Sequence, residues 1–258
     1  MNFDVTVAFY GSIIGLVVGL VGGGGSVLGV PILTYLVGVS SVHVAIGTSA
    51  VTVGASALLN LTLHSRTGNV DWRLAFVFSF SGALGTMFGN QLGLIVEPAR
   101  LMFLFSLLMM SISAFMVYRA FVDVNLEPTS FIKKDNPINW KLVTTGIAAG
   151  LLAGFFGIGG GVLVVPALIA ATRMDAYSAI GSSLVAISLF SIITAITYSY
   201  HSLVDWNLAA SFTAGALCGT VFGSYFCNYI ARFRIALSMI LALIICTIGI
   251  WTLVAPVR

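Results

Sequence analysis

Long apolar runs separated by short polar breaks dominate the chain. Eight can be read, at roughly 7–37, 42–63, 73–96, 99–119, 141–171, 177–200, 206–229 and 234–255. A helix crosses the hydrocarbon of a bilayer in about 20 residues, more if tilted. The runs have helix length and lack the alternation of ten-residue barrel strands, so helices are expected to satisfy the backbone. Runs one and five are the exceptions: as unbroken helix, about 30 residues would extend roughly 45 Å, where one crossing needs about 30 Å. The opening Met1-Asn2-Phe3-Asp4 has no positive charge and no small-residue cleavage site follows, so the first run reads as structure and not as a signal peptide.

Composition sharpens this pattern. Of the 258 residues, 59% are apolar and 7% charged, where a soluble surface calls for about a quarter. Such a chain is solvated by lipid. Its net charge of +3 is dispersed, which excludes nucleic acid as a partner. Cys218, Cys227 and Cys246 lie inside apolar runs without CxxC spacing, and His43, His64 and His201 are scattered. No metal site, disulfide or cofactor is expected.

The pattern also repeats. Shifted by 135 residues, Gly11–Tyr35 lies over Gly146–Ala170 with 12 of 25 positions identical, among them Gly22/Gly157, Gly24/Gly159, Gly25/Gly160 and Pro31/Pro166. A shift of 134 then aligns Gly47-Thr48-Ser49 with Gly181-Ser182-Ser183, Val70-Asp71-Trp72 with Val204-Asp205-Trp206, and Gly89 with Gly223. The expected organisation is a first membrane repeat at 1–119, a polar linker at 120–140 and a second repeat at 141–258. Duplicated halves with glycine-interrupted segments in matching places point to secondary transport.

Three glycine ladders, Gly11/Gly15/Gly19, Gly85/Gly89/Gly93 and Gly146/Gly150/Gly154, read as close-packing helix faces. The runs Gly22-Gly23-Gly24-Gly25 and Gly159-Gly160-Gly161 read differently. Consecutive glycines cost backbone entropy and favour a break, tolerated at membrane depth only inside protein or beside a cavity. A second leg starting after each break would aim its N-terminal N–H groups at it, an anion site that needs no basic side chain. Pro31 and Pro166 fall within those legs and are expected to bend them. No Lys-Ser or Lys-Thr follows the glycines, which argues against a phosphate-binding loop. The expected substrate-binding set is Gly22, Gly23, Gly24, Gly25, Ser26, Thr48, Ser49, Gly157, Gly159, Gly160, Gly161, Ser182 and Ser183. The hydroxyls would donate to an oxyanion, or else cap and join helices. Asn60, His64, Asn90 and Gln91 are weaker candidates, expected near headgroups. No Asp, Glu, Lys or Arg falls mid-span, which weakens a carboxylate proton relay and suits a small anion held by dipoles and hydroxyls.

Charge sorts two topologies. Eight single crossings make the halves parallel and divide the eleven Lys and Arg seven against four. Re-entrant hairpins at runs one and five make the halves inverted, with nine on the linker face and only Arg100 and Arg258 opposite. The inverted arrangement, with a cytoplasmic linker and both termini outside, is favoured. Trp72, Trp140, Trp206 and Trp251 sit near segment ends, as an interfacial belt requires.

The paired segments GLVVGLVGGGGSVLGVP at 15–31 and GLLAGFFGIGGGVLVVP at 150–166, with GTS at 47–49 and GSS at 181–183, resemble the TauE/SafE family over nearly the whole chain. The resemblance implies a multi-pass protein of the bacterial inner membrane that moves, and often exports, sulfite or an organosulfonate. It places the pore at the glycine segments and hydroxyl pairs. Ser26 stands opposite Gly161, and Gly23 opposite Ile158, so the two half-sites are expected to differ. The expectation is an all-α polytopic transporter of a small anion, with the lipid bilayer around it. The alternative is a channel-like pore or a carrier of an unrelated solute. An enzyme is not expected, since no catalytic cluster is present. The coupling ion and homo-oligomerisation are left open.

Overall fold

The structure is a computed structural model that describes residues 4–21, 23–66, 68, 70–123, 140–174, 176–230 and 234–254. All regular structure among the described residues is helical: α1 (Val5–Val21), a 3-10 turn (Gly23–Leu28), the short α2 (Gly29–Pro31), a π turn (Ile32–Leu36), α3 (Val42–Arg66), α4 (Trp72–Ile95) and α5 (Pro98–Asp123). Then come α6 (Trp140–Phe156), α7 (Gly161–Thr172), α8 (Ala176–Tyr200), α9 (Trp206–Ile230) and α10 (Arg234–Val254). Among the described residues, four segments are both long and apolar enough to cross a membrane: Val42–Ser65, Pro98–Tyr118, Ser178–Tyr200 and Trp206–Phe226. Most of the expected linker, 124–139, lies outside the described residues.

The two overlong runs are each split. α1 is followed by a return leg, Gly25–Leu36, and α6 by α7. These two helix–break–helix units are called arms below. Each arm packs on a helix from the other half of the chain, α1 on α9 and α6 on α4. Glycines allow this approach. A Cβ at Gly11, Gly15 or Gly19 would run into the backbone of Phe212, Ala216 or Thr220, and one at Gly146, Gly150 or Gly154 into that of Phe78, Gly82 or Thr86. The ladders expected from sequence are thus contact faces, with backbone against backbone.

These contacts also set direction, because rising numbers meet rising numbers in both pairs. α3 runs parallel to α9, joined by Thr52–Thr213 and Asn60–Ser224 hydrogen bonds. α4 runs parallel to α8 through the Thr194–Asn90 bond and the packing of Gly82 on Phe190. α3 opposes α8, since Gly47 meets Tyr198 and Gly54 meets Ser191. α5 likewise opposes α10, Ser113 bonding Ala242 and Met109 meeting Gly249. Hence α1, α3 and α9 point one way and α4, α6 and α8 the other.

Outside and inside invert the soluble pattern. α4 shows Phe76, Phe80, Leu84, Phe88 and Leu92 on one exposed stripe, and buries Phe78, Gly82, Gly85, Thr86, Gly89 and Asn90 on the other. The interior holds many small polar side chains, such as Thr48, Ser56, Asn60, Asn90 and Ser191. Lipid replaces water on the outer face, so tight backbone packing and interhelical hydrogen bonds must supply association. Trp72, Trp140, Trp206 and Trp251 are exposed at the ends of α4, α6, α9 and α10, as an interfacial belt places them.

Candidate functional site

The two breaks differ in build. In the first arm Gly23, Gly24, Gly25 and Ser26 lie in the 3-10 turn, and Gly25 packs back on Val18 and Ile14 of α1. Gly22 lies outside the described residues. In the second arm Gly157, Gly159 and Gly160 take φ of +64°, +63° and +80°, a left-handed region that costs an L side chain about 1–2 kcal/mol. Ile158, between them, is fully buried in the apolar cluster that also holds Val27 and Leu28 of the first arm. The 3-10 turn packs against α7, so the two arms meet. Pro31 is followed by the π turn, where Val37 N–H reaches the Ile32 carbonyl at 3.0 Å. α7 continues as α-helix through Pro166.

At the second break the Gly160 carbonyl accepts from Leu163 and Val164 N–H at 3.0 and 2.8 Å. Gly161 and Val162 open α7, and their N–H groups precede any carbonyl of the helix that could accept them. Positive potential from the helix end is therefore directed back toward the break.

All five expected hydroxyl residues, Ser26, Thr48, Ser49, Ser182 and Ser183, are fully buried, and the last four have different duties. Thr48 Oγ1 accepts from Asp205 N–H at 3.2 Å, and Ser182 Oγ from Asp71 N–H at 2.9 Å. The two Asp carboxylates in turn accept from Leu208 and Leu74 N–H, opening α9 and α4. Thr48 and Ser182 thus tie α3 and α8 to a loop of the opposite half, each with its hydroxyl hydrogen still available. Ser183 donates to the Ile180 carbonyl at 2.7 Å. Ser49 Oγ has no partner and lies against Gly29 of the first return leg.

Sequence reasoning passed over two further serines. Ser56 and Ser191 are buried and their Oγ atoms have no partner. Ser191 on α8 lies against Gly159, as does Val53 of α3. Ser56 sits three residues beyond Val53, on the same helix face. The seven-residue spacing of Ser49 and Ser56 was the available signal, weak because isolated helical serines usually bond their own backbone. Asn60 and Asn90, expected near headgroups, are instead buried and join helices; Gln91 is exposed. His64 contacts the Asn60 carbonyl at 3.1 Å. Among the described residues, no Asp, Glu, Lys or Arg is buried.

Known proteins resemble this chain over most of its length. A family profile described as "Sulfite exporter TauE/SafE" matches residues 7–251. A "probable membrane transporter protein" of Xylella fastidiosa is 40% identical over 94% of this chain and 92% of its own length. Proteins described in the same words from Bacillus subtilis and Methanocaldococcus jannaschii are 26% and 28% identical, over 80% and 73% of this chain and 83% and 69% of their own. No solved structure matches the chain.

Proposed function

Because the chain belongs to the sulfite exporter TauE/SafE family of membrane transporters, we propose that it carries a small oxyanion, sulfite or an organosulfonate, outward across the bacterial inner membrane. The observation that carries this reading is the meeting of two interrupted arms in an interior of hydroxyls and helix ends, without a buried charge among the described residues. An anion there would be held by N–H dipoles and hydroxyl hydrogens, and would leave without breaking a salt bridge. The glycine breaks, with Thr48, Ser49, Ser182 and Ser183, line the route in this proposal.

The two halves, 1–119 and 141–258, are taken as inverted repeats joined by a cytoplasmic linker at 120–140. The arms are taken as re-entrant, so that each half crosses the bilayer three times. Two features support this. α1 and α6 run in opposite directions, as do α3 and α8, and the same arrangement collects nine of eleven Lys and Arg on the linker face.

Flux into reconstituted vesicles tests the function. Sulfite, sulfoacetate, taurine, sulfate and chloride are offered in turn, with and without a proton or sodium gradient. Saturable, counter-transportable flux of sulfite or sulfoacetate is expected, whereas non-saturable flux would indicate a pore. Gly160→Val should abolish flux while the protein still inserts, since φ of +80° excludes a β-branched residue. Full flux in that variant would remove the second break from the site.

A further inference from the structure

Among the described residues, seven side chains have a buried polar atom without a partner: Thr34, Tyr35, Ser49, Ser56, Ser79, Ser191 and Tyr198. Helical Ser and Thr have an easy remedy, a bond back to the carbonyl three or four residues earlier. Thr86, Ser106, Ser183, Ser188 and Thr220 all take it, at 2.7–3.0 Å. Ser49, Ser56, Ser79 and Ser191 do not, and the Oγ atoms of Ser49 and Ser191 lie against Gly29 and Gly159 of the two arms.

For Ser79 the cause lies in the repeat. Its counterpart 134 residues on is Thr213, which bonds Thr52 at 2.9 Å. The position matching Thr52 is Ala186, which has no hydroxyl to offer. Ser191 has no such explanation. It is fully buried, and its Oγ is the atom that a side chain at Gly159 would strike first. Gly159 lies two residues before α7, a helix of 12 residues whose first N–H groups have no helical acceptor. Ser191 Oγ has no partner beside the turn that leads into those amides, and a buried group left so costs about 1–3 kcal/mol.

We infer that Ser191, with the amides opening α7 and the hydroxyl of Ser56, binds the oxyanion of a transported sulfite or sulfonate. This rests on the transporter reading above. A pyramidal or tetrahedral oxyanion presents acceptors in several directions, and these donors come from three elements: α3, α7 and α8. Ser49 belongs elsewhere. Seven residues from Ser56 along α3, it is about 10 Å away, too far to share one small anion, and it faces the other arm at Gly29. Glycine at 159 is then required twice, for its φ of +63° and because any side chain would occupy the space of the anion.

The test is sulfite flux and sulfite-induced thermal stabilisation of wild type, Ser191→Ala, Ser56→Ala and Ser79→Ala. Alanine removes only an unpaired hydroxyl, so all three variants should fold as well as wild type. Ser191→Ala should raise KM for sulfite roughly tenfold or more, the value of one hydrogen bond to a charged group, and lose the thermal stabilisation by sulfite. Ser56→Ala should do the same more weakly, and Ser79→Ala should match wild type. Unchanged KM and stabilisation in Ser191→Ala would overturn the inference while leaving the transporter reading intact, and an equal rise in Ser79→Ala would also overturn it. A wild type that neither moves nor is stabilised by sulfite or sulfoacetate would overturn both.

Discussion

Asn60 shows what one polar side chain does at this depth. It is fully buried in α3, donates to the Val18 carbonyl of α1 at 3.1 Å, and accepts from Ser224 of α9 at 3.1 Å. On the other side, Asn90 of α4 accepts from Thr194 of α8 and donates to Thr197, at 3.1 and 3.4 Å. Asn60 thus holds the α1 arm to two helices, whereas Asn90 spans one pair. Asn60→Leu should cost about 1–2 kcal/mol, within the range found for interhelical bonds in membranes, and lower the melting temperature in detergent. Thr194→Val should cost less, because Asn90 keeps Thr197; a loss as large as that of Asn60→Leu would contradict this ranking. In the sequence both asparagines stood close to the ends of apolar runs, where headgroups were the natural partners. Only tertiary contacts between residues 42 to 164 positions apart reveal their duty.

For helices, the decisive quantity is how closely two backbones approach. Gly150 sits with the Gly82 carbonyl where its own Cβ would be, and Gly15 does so with Ala216. Gly150→Val must push α6 off α4, at a cost of about 1–3 kcal/mol for overpacking. It should appear as a lowered detergent melting temperature, with Phe80→Leu on the lipid-facing side of α4 as a silent comparison. Equal stability of the two variants would mean that the glycine faces are not in contact. The ladders were readable as faces, since four-residue spacing alone aligns them. Their partners were not, because any small-residue face fits any other. The second break was equally legible, with three left-handed glycines where glycine was called for. The first was legible only as an interruption, since a 3-10 turn uses right-handed backbone that other residues also adopt.

At the scale of the molecule, Arg173 separates the two topologies. With re-entrant arms, the α3–α4 loop and the α7–α8 loop share the linker face. With eight single crossings, they lie on opposite faces. In a background where Cys218, Cys227 and Cys246 are Ser, Gly68→Cys and Arg173→Cys should both react with an impermeant thiol reagent from the cytoplasmic side only. Reaction of Arg173→Cys from outside would restore the parallel arrangement. Charge counting alone could express only a preference between nine against two and seven against four, since it depends on how each arm is counted. The registers of α1 on α9 and α6 on α4 carry directional information that a residue tally lacks.

That exchange of arms has a consequence for how the chain is made. The first helix ends at Val21, and the helix it docks on begins at Trp206. At about 5–20 residues per second, synthesis must run on for roughly 10–40 s before the first arm meets its partner. Through that interval the glycine face of α1 has only lipid or the insertion machinery against it, although its Val18 carbonyl can already meet Asn60 of α3. The nascent protein is therefore most vulnerable to proteolysis and to pairing with a neighbouring chain until its last fifth has entered the bilayer.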